Sequence, residues 1–377
     1  MASLIDTNNS SRDFKSSHFR KNIIQTGSSP VYSRVYKDVN KQKGIDYSDY
    51  KALKVNWGEE NNYEVTKKIG RGRYSEVFEG NLISNKQKCV IKILKPIRNE
   101  KILREIKVLQ NLSGQKNIIK LLDVTSNPEL KTPSLIFEHV ENIPFRDLYP
   151  KLNEMDICYY VDQILMAVDS CHSNGIMHRD IKPHNMVINH EKKQLKLIDF
   201  GLAEFYDPDN KWNIRVASRY FKSPELLVYP QNGTKVHYDY SVDMWSVGCT
   251  VAQMIFKKDP FFTGKDNLHQ LYVIIEKLGK DDLYTYLQKY RIPLKGYPYL
   301  DQITQNELIK KPFTEFTNSE NMHLASSDAI DFIEKILVYD PQERMTAREA
   351  MCHKWFSQIP NRNLAERGID PKNPNGK

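Results

Sequence analysis

The chain has 377 residues, 40% of them hydrophobic, with a formal net charge of +8 and five cysteines. This length allows two or three domains with a large core, and no run of about eighteen apolar residues is present to span a bilayer. Cys89, Cys158, Cys171, Cys249 and Cys352 are odd in number and form no CxxC pair, which argues against a disulfide framework or structural zinc. The mild positive charge lacks an arginine-rich run interleaved with aromatics, so it gives no case for nucleic-acid binding and favours phosphates or acidic partners.

Residues 1 to about 30 are rich in Ser, Asn and Lys without apolar periodicity and are expected to be disordered, as is the polar tail from Asn361. Met1-Ala2-Ser3-Leu4-Ile5-Asp6 shows neither a secretory core nor a myristoylation glycine, so a soluble intracellular protein, cytoplasmic and nuclear, is expected. From Tyr63 the pattern changes. Tyr63 to Ile69, Glu76 to Leu82 and Lys88 to Leu94 read as strands of a small antiparallel sheet, with further strands at Ile118 to Val124 and Ser134 to His139. Between the first two strands, Ile69-Gly70-Arg71-Gly72-Arg73-Tyr74-Ser75-Glu76-Val77 holds two glycines that let backbone N–H groups approach a phosphate. Two glycines alone also fit a simple hairpin.

Lys92 shares a strand face with Val90 and Leu94. On the helix that follows, Lys101 to Asn111, the stripe Ile102, Glu105, Ile106 and Leu109 turns a carboxylate toward the core. Each charge is costly to bury alone, so a Lys92–Glu105 pair that also meets the α/β-phosphates of a nucleotide resolves both. Phe137, Glu138, His139 and Val140 lie where a second, helical lobe begins, placing backbone groups at a purine edge with Phe137 behind it. Ile69, Val77, Val90, Val187 and Ile198 would wall such a pocket, although each also fits ordinary core packing. In the second lobe, Ile157 to Cys171 recur at helical spacing and stop at Asn174-Gly175; further helices are expected at Val242–Phe256, Asn267–Leu278, Ser327–Leu337 and Ala347–Met351.

The chemistry concentrates in His178-Arg179-Asp180-Ile181-Lys182-Pro183-His184-Asn185 and Leu197-Ile198-Asp199-Phe200-Gly201. Met186-Val187-Ile188, a polar turn and Leu195 to Ile198 predict a hairpin whose open end sets Asn185 beside Asp199. Two oxygen donors there, with Asp180 one loop upstream, suit a hard octahedral cation such as Mg²⁺.

These motifs follow the protein-kinase order, and the stretch from Tyr63 to Phe356 resembles a eukaryotic protein kinase, more narrowly the catalytic alpha subunit of casein kinase II. The narrower resemblance rests on Arg215-Val216-Ala217-Ser218-Arg219-Tyr220-Phe221-Lys222 and Tyr240-Ser241-Val242-Asp243-Met244-Trp245-Ser246. It implies an α+β, two-lobed kinase fold: a small antiparallel sheet lobe with one helix over 63–140, and a larger, mainly helical lobe over 141–356. An extension over 1–32, a segment over 33–62 packed on the core and a polar tail over 357–377 complete the division. It implies transfer of the γ-phosphate of ATP, and of GTP as well, to Ser or Thr in acidic sequences. Asp180 would take the hydroxyl proton, Lys182 would neutralise the moving phosphoryl, Lys92 braced by Glu105 would hold phosphates, and Asn185 and Asp199 would hold Mg²⁺.

The resemblance further implies that Arg215, Arg219 and Lys222 read acidic substrates, and that Arg215, standing where mitogen-activated kinases carry an activating tyrosine, makes the enzyme constitutively active. A regulatory beta subunit would dock on the outer sheet face at Tyr63, Val65, Phe78, Ile91 and Ile136. Three residues depart from the pattern: Phe200 for a tryptophan, Glu100 within a normally lysine-rich run, and Ser223 before Pro224-Glu225. The alternatives are a proline-directed or dual-specificity kinase and a non-catalytic scaffold of the same fold.

Overall fold

The computed structural model describes residues 31–376 apart from 128, 130, 131, 232 and 295–299; the expected disorder of residues 1–30 lies outside the described residues. Five strands form one antiparallel sheet in the order β1-β2-β3-β5-β4: β1 (Tyr63–Arg71), β2 (Ser75–Leu82), β3 (Lys88–Leu94), β4 (Leu121–Ser126) and β5 (Pro133–Glu138). The period-2 pattern of β3 divides its side chains between two environments. Leu94 joins the main core, whereas Cys89 and Ile91 join Ile136 in a separate small cluster that Tyr63 and Ile93 flank. Helix α1 (Asn99–Asn111) buries Ile102, Glu105, Ile106, Val108 and Leu109, the stripe its sequence predicts plus Val108.

The second lobe is built on α2 (Glu154–His172), which opens with an Asn153–Asp156 capping box, and α3 (Ser241–Phe256), whose residues from Val242 onward are all buried. A helix buried all round, its few polar residues such as Asp243 and Ser246 hydrogen-bonded, belongs at the centre of a lobe. Around it pack α4 (Asn267–Leu278), α5 (Asp281–Lys289), α6 (Ser327–Ile336) and α7 (Ala347–Met351). Among the described residues, no helix is long and apolar enough to cross a membrane.

Two segments outside the lobes are held by specific polar contacts. Residues 33–40 lie against the helical lobe: Ser33 N donates to Tyr206 Oη at 3.0 Å, Arg34 pairs with Glu349 at 2.8 Å, and Asn40 Nδ2 donates to the carbonyls of Gly175 and Tyr206, each at 2.8 Å. The tail departs from the disorder expected of its polar composition. Arg362 and Arg367 donate to the buried Asp162 at 2.8 and 2.7 Å, and Ile369 is buried. A buried carboxylate demands such partners, and the two guanidinium groups supply them.

Candidate active site

Strands β6 (Ile176–Met177), β7 (Met186–Asn189) and β8 (Gln194–Leu197) flank the loops that hold Asp180, Lys182, Asn185 and Asp199. β7 and β8 form the expected hairpin, with Met186 opposite Leu197, and Ile198 N donates to Asn185 O at 2.9 Å, so Asn185 and Asp199 leave the same end. Asn185 Nδ2 donates to Asp180 O and Oδ2 at 2.8 and 3.0 Å. With its NH₂ so committed, the amide presents its oxygen for another partner. Asp199, at a left-handed φ of +61°, directs Oδ1 to Lys92 at 2.8 Å.

Lys92 also meets Glu105 at 2.7 Å. Burial works against its charge, but Glu105 and Asp199 together outweigh that penalty and hold its pKa above the ordinary value. In turn Lys92 pulls the Asp199 carboxyl down to about 2, against the opposing effect of burial. Asp199 is therefore an anion at neutral pH, and an amide oxygen beside a carboxylate fits a hard divalent cation. Among the described residues no cluster of three His, Cys, Asp or Glu side chains offers a competing site.

Asp180 is fixed from several sides. Lys182 Nζ donates to its Oδ2 at 2.7 Å and to Ser218 Oγ at 2.8 Å, while the Ser218 hydroxyl and amide donate to Asp180 Oδ1 at 2.9 and 3.0 Å. Its own N–H donates to His178 Nδ1 at 3.2 Å; His178 Nε2, 3.1 Å from Ile198 O, then carries the ring proton. Burial lowers the pKa of His178, consistent with that neutral tautomer. Below this, Asp243 accepts from the amides of His178 and Arg179 at 2.8 and 2.7 Å. Those bonds hold Arg179 at φ +64°, a conformation that costs a non-glycine residue energy. Ser218 and Asp243 are functional neighbours that the sequence reading left without a role. Both lie inside quoted motifs, but neither has a spacing that signals its partner.

The glycine loop forms the turn between β1 and β2, with Gly70 opposite Val77 and Arg71 opposite Glu76. Gly72 N donates to Ser75 O at 2.8 Å, Lys95 Nζ donates to Gly72 O at 3.0 Å, and Tyr74 is flanked by Arg73 and by Lys101 of α1 at 5.2 and 5.1 Å from its ring centre. Phe137 is buried at the end of β5; Val77, Val90, Val140, Val187 and Ile198 are half-buried, and Ile69 is exposed. The Glu138 side chain accepts from Lys120 N at 2.9 Å and pairs with Lys196 at 3.3 Å.

The three candidate substrate cations separate. Arg215 is exposed, with its guanidinium anchored on Gln231 O at 3.1 and 2.7 Å, and Arg219 is exposed and donates to Lys265 O at 2.6 Å. Lys222 departs from the expectation of a surface cation. It is 5% exposed, and its ammonium donates to Ile214 O and Val216 O, the carbonyls on either side of Arg215. Burial lowers its pKa to about 8. Phe200, in place of tryptophan, is buried edge-on to His178 at 4.9 Å, and Ser223 is buried with no hydrogen-bond partner for its hydroxyl among the described residues.

Two lobes, a lysine–glutamate pair across sheet and helix, and an aspartate held by a lysine beside a hairpin-borne Asn and Asp define a phosphotransferase site. A family model for the protein kinase domain matches residues 63–356, and the chain belongs to that family. It therefore transfers phosphate from ATP to protein.

Proposed function

We propose that this kinase phosphorylates Ser and Thr in acidic sequences, using Mg²⁺ with ATP or GTP, and that it is of the casein kinase II type. The observation that carries the acidic preference is Arg215, an exposed cation whose guanidinium is tied to Gln231 O and whose flanking carbonyls are tied to Lys222. A fixed guanidinium loses little entropy on meeting a carboxylate or phosphate. Arg219 adds a second cation four residues on.

In the reaction, Asp180 Oδ1 and Oδ2 orient the acceptor hydroxyl and take up its proton as the oxygen attacks. Ser218 and Lys182 hold the carboxylate in place, and Lys182 offsets charge on the moving phosphoryl group. Lys92, kept cationic by Glu105, binds the α/β-phosphates. Mg²⁺ held by Asn185 and Asp199 supplies neutralisation of the phosphate oxygens when bound. Activity without activation-segment phosphorylation is supported by the contacts from Ser33 and Asn40 to Tyr206, which brace that segment from within the same chain. Of the outer sheet face, Ile91 and Ile136 are buried within the chain and leave no surface, whereas exposed Val65 with half-buried Tyr63 and Phe78 supports docking of a regulatory beta subunit.

Rates of radiolabelled phosphate transfer to acidic, neutral, proline-directed and tyrosine peptides, with ATP and then GTP, test the reading. The acidic Ser/Thr peptide should be preferred and Arg215→Ala should reduce that preference; equal rates on acidic and neutral peptides overturn it. Asp180→Asn should lower turnover about 10²–10⁴-fold while Mg-nucleotide binding, followed by thermal shift, persists. Undiminished turnover removes Asp180 as the base.

A further inference from the structure

Away from the cleft, two lysines converge on an aromatic cluster of the helical lobe and a third lies beside them. Lys258, just past the end of α3, places Nζ 5.2 Å from the centre of the Phe316 ring; Lys277, in the last turn of α4, places Nζ 4.9 Å from the same ring and 5.3 Å from Phe261. Lys311 joins them through its backbone, its N–H donating to Lys277 O at 2.9 Å. Phe261 and Phe313 stack, and Phe316 meets both edge-on, to make a buried floor beneath.

Helix C-termini attract cations, which accounts for lysines at the ends of α3 and α4. It does not account for their crowding. Among the described residues none of the three forms a salt bridge, whereas Lys289, Lys310, Lys335 and Lys354 of the same lobe pair with Asp340, Asp282, Asp331 and Asp328. Burial lowers the pKa of Lys277, and repulsion from Lys258 and Lys311 lowers it further, with Glu276 only partly opposing. Two ammonium groups over a low-dielectric floor, with Lys311 close enough to repel Lys277, push against one another until an anion arrives.

We infer that Lys258, Lys277 and Lys311 form a second anion site, which docks an acidic segment of a protein substrate while its acceptor residue occupies the cleft. The patch is connected to the substrate side of the cleft: the chain runs from Lys258 to Lys265, whose carbonyl receives Arg219. Seven residues span at most about 25 Å, so an extended substrate needs on the order of ten residues between the acceptor and its acidic segment. The site rests on the protein-kinase assignment, and not on the acidic preference around the acceptor.

The test uses the full chain and the double variant Lys258→Gln/Lys311→Gln. Both partners are exposed, so folding is retained, and Lys277→Gln serves as a second variant. Two substrates share one acceptor sequence, and one of them carries six glutamates about ten residues away. The longer peptide should show a lower KM on the wild type, an advantage that high salt erodes and that the double variant loses by about fivefold. Turnover of the short peptide should not change. A matching peptide with phosphoserines for glutamates distinguishes carboxylate from phosphate as the preferred anion. Equal KM values for long and short peptides on the wild type, or an advantage that survives in both variants, overturn the site. Fluorescence anisotropy of a labelled oligonucleotide, bound through these lysines where the acidic peptide is not, overturns the protein-substrate assignment. A failed acidic preference at the acceptor itself would appear separately, in the short-peptide panel.

Discussion

Lys92 is the residue on which the cleft's charge balance turns, because burial disfavours its ammonium while Glu105 and Asp199 restore it. The partner effect on Asp199 gives a measurable sign. A carboxyl depressed to about 2 in the folded chain stabilises the fold above the ordinary carboxylate range, and that contribution drains away as pH falls toward 2. The Tm difference between wild type and Asp199→Asn should therefore shrink between pH 6 and pH 3; a difference constant with pH would show that the carboxylate adds no such stability. Lys222 teaches the opposite lesson. In the sequence it sits among arginines and reads as a third surface cation, yet its ammonium is spent on the two carbonyls that flank Arg215. Lys222→Met should loosen Arg215 and reduce acidic-peptide preference with KM affected more than kcat, which the same peptide panel measures.

At the scale of elements, the β7–β8 hairpin was legible because it is local: two short apolar strands and a polar turn suffice to bring Asn185 and Asp199 to one end. The α1 stripe was legible for a similar reason, since a 3.6 period fixes the face on which Glu105 sits. The 33–40 segment acts through single polar contacts that no period announces. Asn40 Nδ2 serves both Gly175 O and Tyr206 O, and Gly175, at φ +73°, has no Cβ to collide with the Asn40 side chain. Asn40→Ala takes the Nδ2 donor from both carbonyls, of which Gly175 O keeps Tyr206 N at 2.8 Å, and should cost about 1–3 kcal/mol by chemical denaturation. Loss of phosphotransfer should accompany it if this brace sustains the activation segment; full activity in the destabilised variant would separate the two.

Across the whole molecule, the helical lobe is tied together by Arg344 and Glu225, both buried and joined at 2.8 and 3.2 Å, with Arg344 also 5.2 Å from the Trp245 ring. Removing one partner strands the other. Arg344→Met should cost about 3–5 kcal/mol in urea unfolding, and adding Glu225→Gln should recover part of it. An additive double variant would show that the pair is not coupled.

Periodicity and motif spacing by themselves determined the main helices, the hairpin that sets Asn185 beside Asp199 and the helix face that turns Glu105 toward Lys92, because those depend on near neighbours along the chain, whereas the meeting of Lys92 with Asp199 across 107 residues is tertiary. Only the tertiary structure decided where Lys222 points, that Ser218 clasps Asp180 from 38 residues away, and that the polar tail docks on Asp162 from 200 residues away. Such pairings are made by whichever charges the packed core brings within reach, and a side chain's desolvation and partners exist only once that core has formed.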